Sequence, residues 1–211
     1  MIMSKSLLVT RPNHDMITNY MCEWSDHVIS TAREKLISVY DLKGRKANRN
    51  QVQSYLKARQ PNLVFLNGHG NDSVVCGYND EVIFDKTSPV ASTMVYARSC
   101  NAGRTLGSKL AKQGATFIGY KRKFILGYLP EKTTNPKRDQ IATYFLKPSN
   151  LVVTTLIKGH TAQIAHQRSL KAMYKNFRKM LSSNATNEER YAARWLWSNL
   201  KCQVVHLPAS K

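Results

Sequence analysis

Two side chains in this sequence are suited to act together as a thiol nucleophile and its base. Cys100 lies in Arg98-Ser99-Cys100-Asn101-Ala102-Gly103, and His69 in Asn67-Gly68-His69-Gly70. Cysteine is the side chain with appreciable thiolate near neutral pH, and imidazole is its usual proton acceptor. Each phrase follows an apolar run, 63–66 before the histidine and 94–97 before the cysteine. Short apolar runs that end in small polar residues read as buried strands giving way to loops. The carboxyl ends of such strands are where open α/β sheets do chemistry. The glycines flanking His69 let the backbone approach a substrate carbonyl, so the N–H groups of Gly70 and Cys100 are the candidate oxyanion hole. N–H groups at the turn after the second strand are also expected to lower the pKa of Cys100. Taken singly, Cys100 reads as an inert core thiol and His69 as a surface loop residue; the pair is the stronger signal, because both lie at strand ends inside small-residue loops. Asn67 and Asp72 are polar neighbours of the histidine, read as loop structure rather than as groups that orient it.

The elements that must position these loops alternate in type. Residues 6–10 read as a strand ending at Thr10-Arg11-Pro12, 15–36 as a helix, 37–42 as a strand, and 50–59 as a helix stopped by Pro61. After the strand at 63–66 comes a hairpin of 74–76 and 82–84. The strand at 94–97 is followed by a helix carrying Leu106 and Leu110, which ends at Gly114, and by a strand at 115–119. Residues 124–126 either continue the sheet or begin a loop, and 129–137 is a loop. Residues 138–147 form a helix ended by Pro148, and a helical region at 151–181 is interrupted at Gly159. Thr186-x-x-Glu189 is a capping box that opens another helix, and 203–207 is the last strand. Strands alternating with helices argue for an α/β fold with a mostly parallel sheet covered on both faces. No repeat or linker divides the chain, so 1–211 reads as one domain.

Composition narrows the functional classes. Thirty-two basic residues against 13 acidic ones give a net charge of +19, which attracts polyanions and acidic protein surfaces. Nucleic acid is therefore a candidate partner, with 121–123, 132–138 and the basic face of 168–179 as the stretches to test. No apolar stretch is long enough to span a membrane, and the first ten residues lack a signal-peptide core and open directly on a strand. The four cysteines, at 22, 76, 100 and 202, form no close pair and no metal-ligand spacing, so neither disulfides nor a zinc site built on them is expected. A reducing, cytoplasmic setting fits this pattern.

The order of the two motifs, Asn67-Gly68-His69-Gly70 and then Ser99-Cys100-Asn101-Ala102-Gly103, resembles the caspase-like cysteine peptidases. That clan includes caspases, metacaspases, legumain, clostripain, gingipains, separase and the bacterial CHAT proteins. Residues 106–120 are similar to the post-cysteine region of the CHAT and gingipain branches, and 156–161 with Ala165 resemble a later helix. The likeness runs over about residues 5–207. The resemblance implies a three-layer αβα caspase-like domain and a cysteine endopeptidase acting on a protein or peptide substrate. The Cys100 thiolate would attack the carbonyl, His69 would protonate the leaving amine, and water would release the acyl-enzyme. The clan commonly works as a dyad, so no third member is named, and no cofactor or metal is expected. In that clan the residue two before the cysteine often lines the pocket for the side chain preceding the cut. Here it is Arg98, and Arg11, just past the first strand, is positioned to converge on it. A guanidinium fork suits a carboxylate, so a preference for Asp or Glu before the cut is expected. The alternative is that Arg98 points away or pairs with Asp72 or Asp85. A nucleic-acid-binding protein and a regulatory caspase-like protein without peptidase activity are the competing functions, and a regulatory protein partner fits either outcome.

Overall fold

Apolar residues occupy both sides of the central strands, a pattern that only a sheet covered on both faces can bury. The computed structural model describes residues 5–209; readings of 1–4 and 210–211 lie outside it. In chain order the strands are β1 (Ser6–Arg11), β2 (Ser38–Lys43), β3 (Leu63–Asn67), the hairpin β4 (Val74–Cys76) and β5 (Val82–Asp85), β6 (Met94–Arg98), β7 (Thr116–Tyr120) and β8 (Gln203–His206). Six of them form one sheet in the order β2-β1-β3-β6-β7-β8, with β4 and β5 pairing separately. All neighbours in the six-stranded sheet are parallel except β8, which runs antiparallel to β7.

Successive side chains point to opposite faces. Leu7, Val9, Phe65, Tyr96 and Ile118 enter one core, with α1 (Met16–Trp24), α2 (Asp26–Glu34), α5 (Gln140–Ile157), α6 (Ala162–Met180) and α7 (Asn187–Cys202). Leu8, Val64, Leu66, Val95 and Phe117 enter the other, with α3 (Arg49–Arg59), α4 (Leu106–Lys112) and the hairpin. The result is the expected three-layer αβα arrangement with a mostly parallel sheet. Among the described residues, no helix is long and apolar enough to cross a membrane.

Two local expectations are corrected, and one left open is decided. The helix expected over 15–36 is two helices, because buried Ser25 turns its hydroxyl back onto the Met21 carbonyl at 2.7 Å, a contact that bends helices. Pro148 does not end its helix; α5 runs through it. A helical proline leaves the carbonyl four residues earlier without its N–H. That carbonyl belongs to Tyr144, and the Asn176 side-chain amide of α6 donates to it at 2.9 Å. Residues 124–126 are loop. The Asn199 side chain takes both backbone groups of Ile125, at 2.9 and 2.7 Å, and so stands in for a neighbouring strand. The loop at 129–137 is tied down by the Trp24 indole N–H on the Pro136 carbonyl and by the Leu129 N–H on Asp139.

Candidate functional site

Parallel β1, β3 and β6 are neighbours, so their carboxyl ends open on one edge of the sheet. Asn67 and Arg98 are register partners at the ends of β3 and β6. His69 and Cys100 each follow two residues later, in the loops past these neighbouring strands. The Ser99 hydroxyl donates to the His69 carbonyl at 2.8 Å and links the two loops directly. The Cys76 N–H reaches the same carbonyl at 2.9 Å. The glycines around His69 serve this packing. A Cβ at Gly70 would lie 2.2 Å from Ser99 Oγ, and one at Gly68, whose φ is +147°, would lie 1.9 Å from the Cys76 carbonyl oxygen.

The imidazole has a carboxylate partner that the sequence did not single out. Asp15, in the loop leaving β1, sits 2.6 Å from His69 Nε2 through Oδ2. Its Oδ1 accepts the Thr18 N–H at 2.8 Å and caps α1, in a capping box with Thr18. Burial works to raise the Asp15 carboxyl, but the Thr18 N–H, His69 and the Thr18 hydroxyl together hold it below the ordinary value. An ionised carboxylate only accepts, so His69 Nε2 is the donor in this contact. The signal for Asp15 was present in the Asp15-x-x-Thr18 capping spacing just beyond the first strand. His14 packs beside this pair, its ring centroid 6.0 Å from that of His69 and edge-on to it. Of the two polar neighbours of the histidine, Asp72 pairs with Arg104 at 3.2 Å and Asn67 is buried against Thr10 and Arg98.

Cys100 is half-buried and its thiol points to the Phe124 carbonyl, with sulfur and oxygen 3.8 Å apart. Among the described residues no hydrogen bond joins it to His69. The expected depression of its pKa is also corrected. Helix α4 begins only at Leu106, after a turn in which Asn101 is left-handed and the Gly103 N–H bonds the Tyr120 carbonyl. The start of α4 therefore lies six residues beyond the cysteine. Burial pushes the thiol up, and the Phe124 backbone and the Lys123 charge only partly offset it.

The two arginines expected to bind an acidic side chain are turned inward. Arg98 is fully buried. Its guanidinium donates to Asn67 Oδ1 (2.8 Å), Asn150 Oδ1 (3.0 Å), the Met21 carbonyl (3.0 Å) and Ser25 Oγ (3.1 Å). Burial pulls its pKa down to about 10. Arg11 forks onto Asp41 at 2.8 and 2.6 Å and also reaches Asp26 and the Cys22 carbonyl. Neither presents a guanidinium to a ligand; both brace the strand ends from beneath. The other expected partners of Arg98 are engaged elsewhere, Asp72 with Arg104 and Asp85 with Arg49.

No family model matches the sequence, and no curated protein matches it. The fold does have a solved counterpart, the complex of Porphyromonas gingivalis RgpB pro- and mature domains. The TM-score is 0.56 at 9% identity, over 95% of this chain and 46% of that one. The chain therefore spans just under half the length of that solved chain. The fold is that of the caspase-like clan.

Proposed function

We propose that this chain is a cysteine endopeptidase in which Cys100 is the nucleophile, His69 its base and Asp15 the group that orients the base. The observation that carries the reading is the Ser99–His69 hydrogen bond, which locks the two loops together at adjacent strand ends. The resting thiol is protonated and turned to Phe124. An entering peptide displaces it towards His69, whose Nδ1 takes the proton. The thiolate attacks the carbonyl carbon, and the N–H groups of Gly70 and Cys100 receive the oxyanion. The imidazolium, held by the Asp15 carboxylate, gives its proton to the leaving amine. Water then attacks the thioester, with His69 again as base, and frees the thiol.

The substrate class is protein or peptide, with no cofactor in the reaction. The buried guanidinia of Arg98 and Arg11 supply no preference for acidic side chains. Four free thiols support a cytoplasmic setting, and 1–211 is read as a single peptidase unit. The reading is tested with a panel of peptidyl electrophiles and fluorogenic peptides. Wild type forms a covalent adduct and turns over at least one peptide, and Cys100→Ala does neither. Turnover that survives in Cys100→Ala overturns the assignment.

A further inference from the structure

Beside the proposed base, His14 has an imidazole whose two nitrogens are both buried and make no hydrogen bond. Buried polar atoms without partners are rare in folded proteins and ask for one. The ring is firmly held: Tyr78 packs edge-on to it at 5.5 Å between centroids, and the Tyr78 N–H is anchored on the Ala47 carbonyl at 2.8 Å. The same turn carries Asp80, with Oδ1 3.5 Å from His14 Nε2. Asp15 Oδ2 stands 3.4 Å from that nitrogen.

These separations are too long for good hydrogen bonds. The 3.5 Å between His14 Nε2 and Asp80 Oδ1 is close to the edge of a tetrahedron around a cation with ligand bonds of about 2.0–2.1 Å, which is roughly 3.3 Å. One ligand atom each from His14, His69 and Asp80 lies within 4.8 Å of the others. Two imidazoles with carboxylate oxygens suit a borderline divalent ion. The carboxylates of Asp80 and Asp15 together would balance its charge.

We propose that His14, His69 and Asp80 form a binding site for a divalent transition cation of the zinc class, and that the bound ion withdraws His69 from base catalysis. The second half of the proposal rests on the peptidase reading; the first does not. The ion takes the lone pair of His69 Nε2 in place of the hydrogen bond to Asp15 Oδ2, and the hydrogen carried there moves to Nδ1. No electron is transferred and no further reactant is required. Nδ1 then bears a hydrogen and no longer accepts the thiol proton, so metal and substrate chemistry compete for one ring. None of the four cysteines takes part, which is why cysteine spacing gave no sign of the site.

The test measures Zn2+ binding by calorimetry on the intact chain, alongside the rate of Cys100 adduct formation with and without Zn2+. Asp80 is well exposed with a left-handed backbone, which asparagine tolerates, so Asp80→Asn keeps the fold; His14→Gln is the second variant. One Zn2+ per chain is expected. Each variant weakens binding by at least about 10-fold, and Cys100→Ser leaves it unchanged. Zn2+ is expected to slow adduct formation in wild type at concentrations that leave Asp80→Asn unaffected. Binding that is absent, or lost in Cys100→Ser but kept in both other variants, overturns the site. Equal slowing of wild type and Asp80→Asn overturns the withdrawal of His69. Zn2+ binding that depends on Asp80, in a chain whose Cys100 forms no adduct even without metal, upholds the site and overturns the peptidase reading alone.

Discussion

Replacing Gly70 with alanine probes the junction between the two site loops. The new Cβ meets Ser99 Oγ at 2.2 Å and the Val74 carbonyl oxygen at 2.6 Å. The hydroxyl escapes by rotating, but it then loses the His69 carbonyl and is left unpaired at a buried position, a cost of about 1–3 kcal/mol. The Val74 carbonyl is backbone and moves only with its hairpin, adding an overpacking cost of about 1–3 kcal/mol. Gly70→Ala should therefore destabilise by about 3–4 kcal/mol. Ser99→Ala removes one hydrogen bond while the His69 carbonyl keeps the Cys76 N–H, so it should cost about 1 kcal/mol. In the double variant the Oγ clash no longer exists, and only the Val74 contact and the missing hydrogen bond remain. Its destabilisation should fall short of the sum of the singles by about 1–2 kcal/mol. Urea unfolding of the four proteins, with unchanged m-values, measures this directly. Additivity within about 0.5 kcal/mol would refute the account of how the His69 and Cys100 loops are joined.

Three further expectations concern the scaffold. Arg98→Lys keeps the charge but cannot serve Asn67 and Asn150 together, so it should lose about 3 kcal/mol in urea without changing the ratio of cleavage after acidic and other residues; wild-type stability would contradict the buried network. Asp15 and Asp26 are held below the ordinary carboxylate value despite the opposing effect of burial, by Thr18 and His69 and by Lys137 and Arg11 respectively. A depressed carboxyl contributes stability above its unfolded pKa and loses it as pH falls through the folded value, so the urea midpoint should drop below about pH 4 and drop less in Asp26→Asn; equal acid sensitivity would count against this pairing. Asn176→Ala should cost about 1–2 kcal/mol by orphaning the Tyr144 carbonyl, and much less in a Pro148→Ala background that restores the helical N–H; an equal cost in both backgrounds would rule out the explanation for the unbroken helix.

The strand ends bearing His69 and Cys100 were legible because short apolar runs followed by small residues are a local signal. The sheet was legible for the same reason, and so was the Thr186–Glu189 capping box. Pro148 was misread because its rescue comes from Asn176, a tertiary partner that no local window contains. Arg98 and Arg11 were misread because a charged side chain near a strand end looks available until the asparagines, serine and aspartates that enclose it are placed in space. Asp15 was missed for a related reason. Its capping spacing was visible, but its closeness to His69 depends on β1 and β3 being neighbours. The pKa of Cys100 depends on burial and on where α4 begins, neither of which residue types alone determine.

The central claim is that His69 activates Cys100. Cys76 offers an internal control, as a half-buried thiol whose pKa burial also raises. The decisive measurement is the rate at which a peptidyl electrophile modifies each thiol, mapped by mass spectrometry in wild type and in His69→Ala. Cys100 should react in wild type at least about 100-fold faster than in His69→Ala, with Cys76 slow and equal in both. Equal modification of Cys100 in the two proteins would contradict the account.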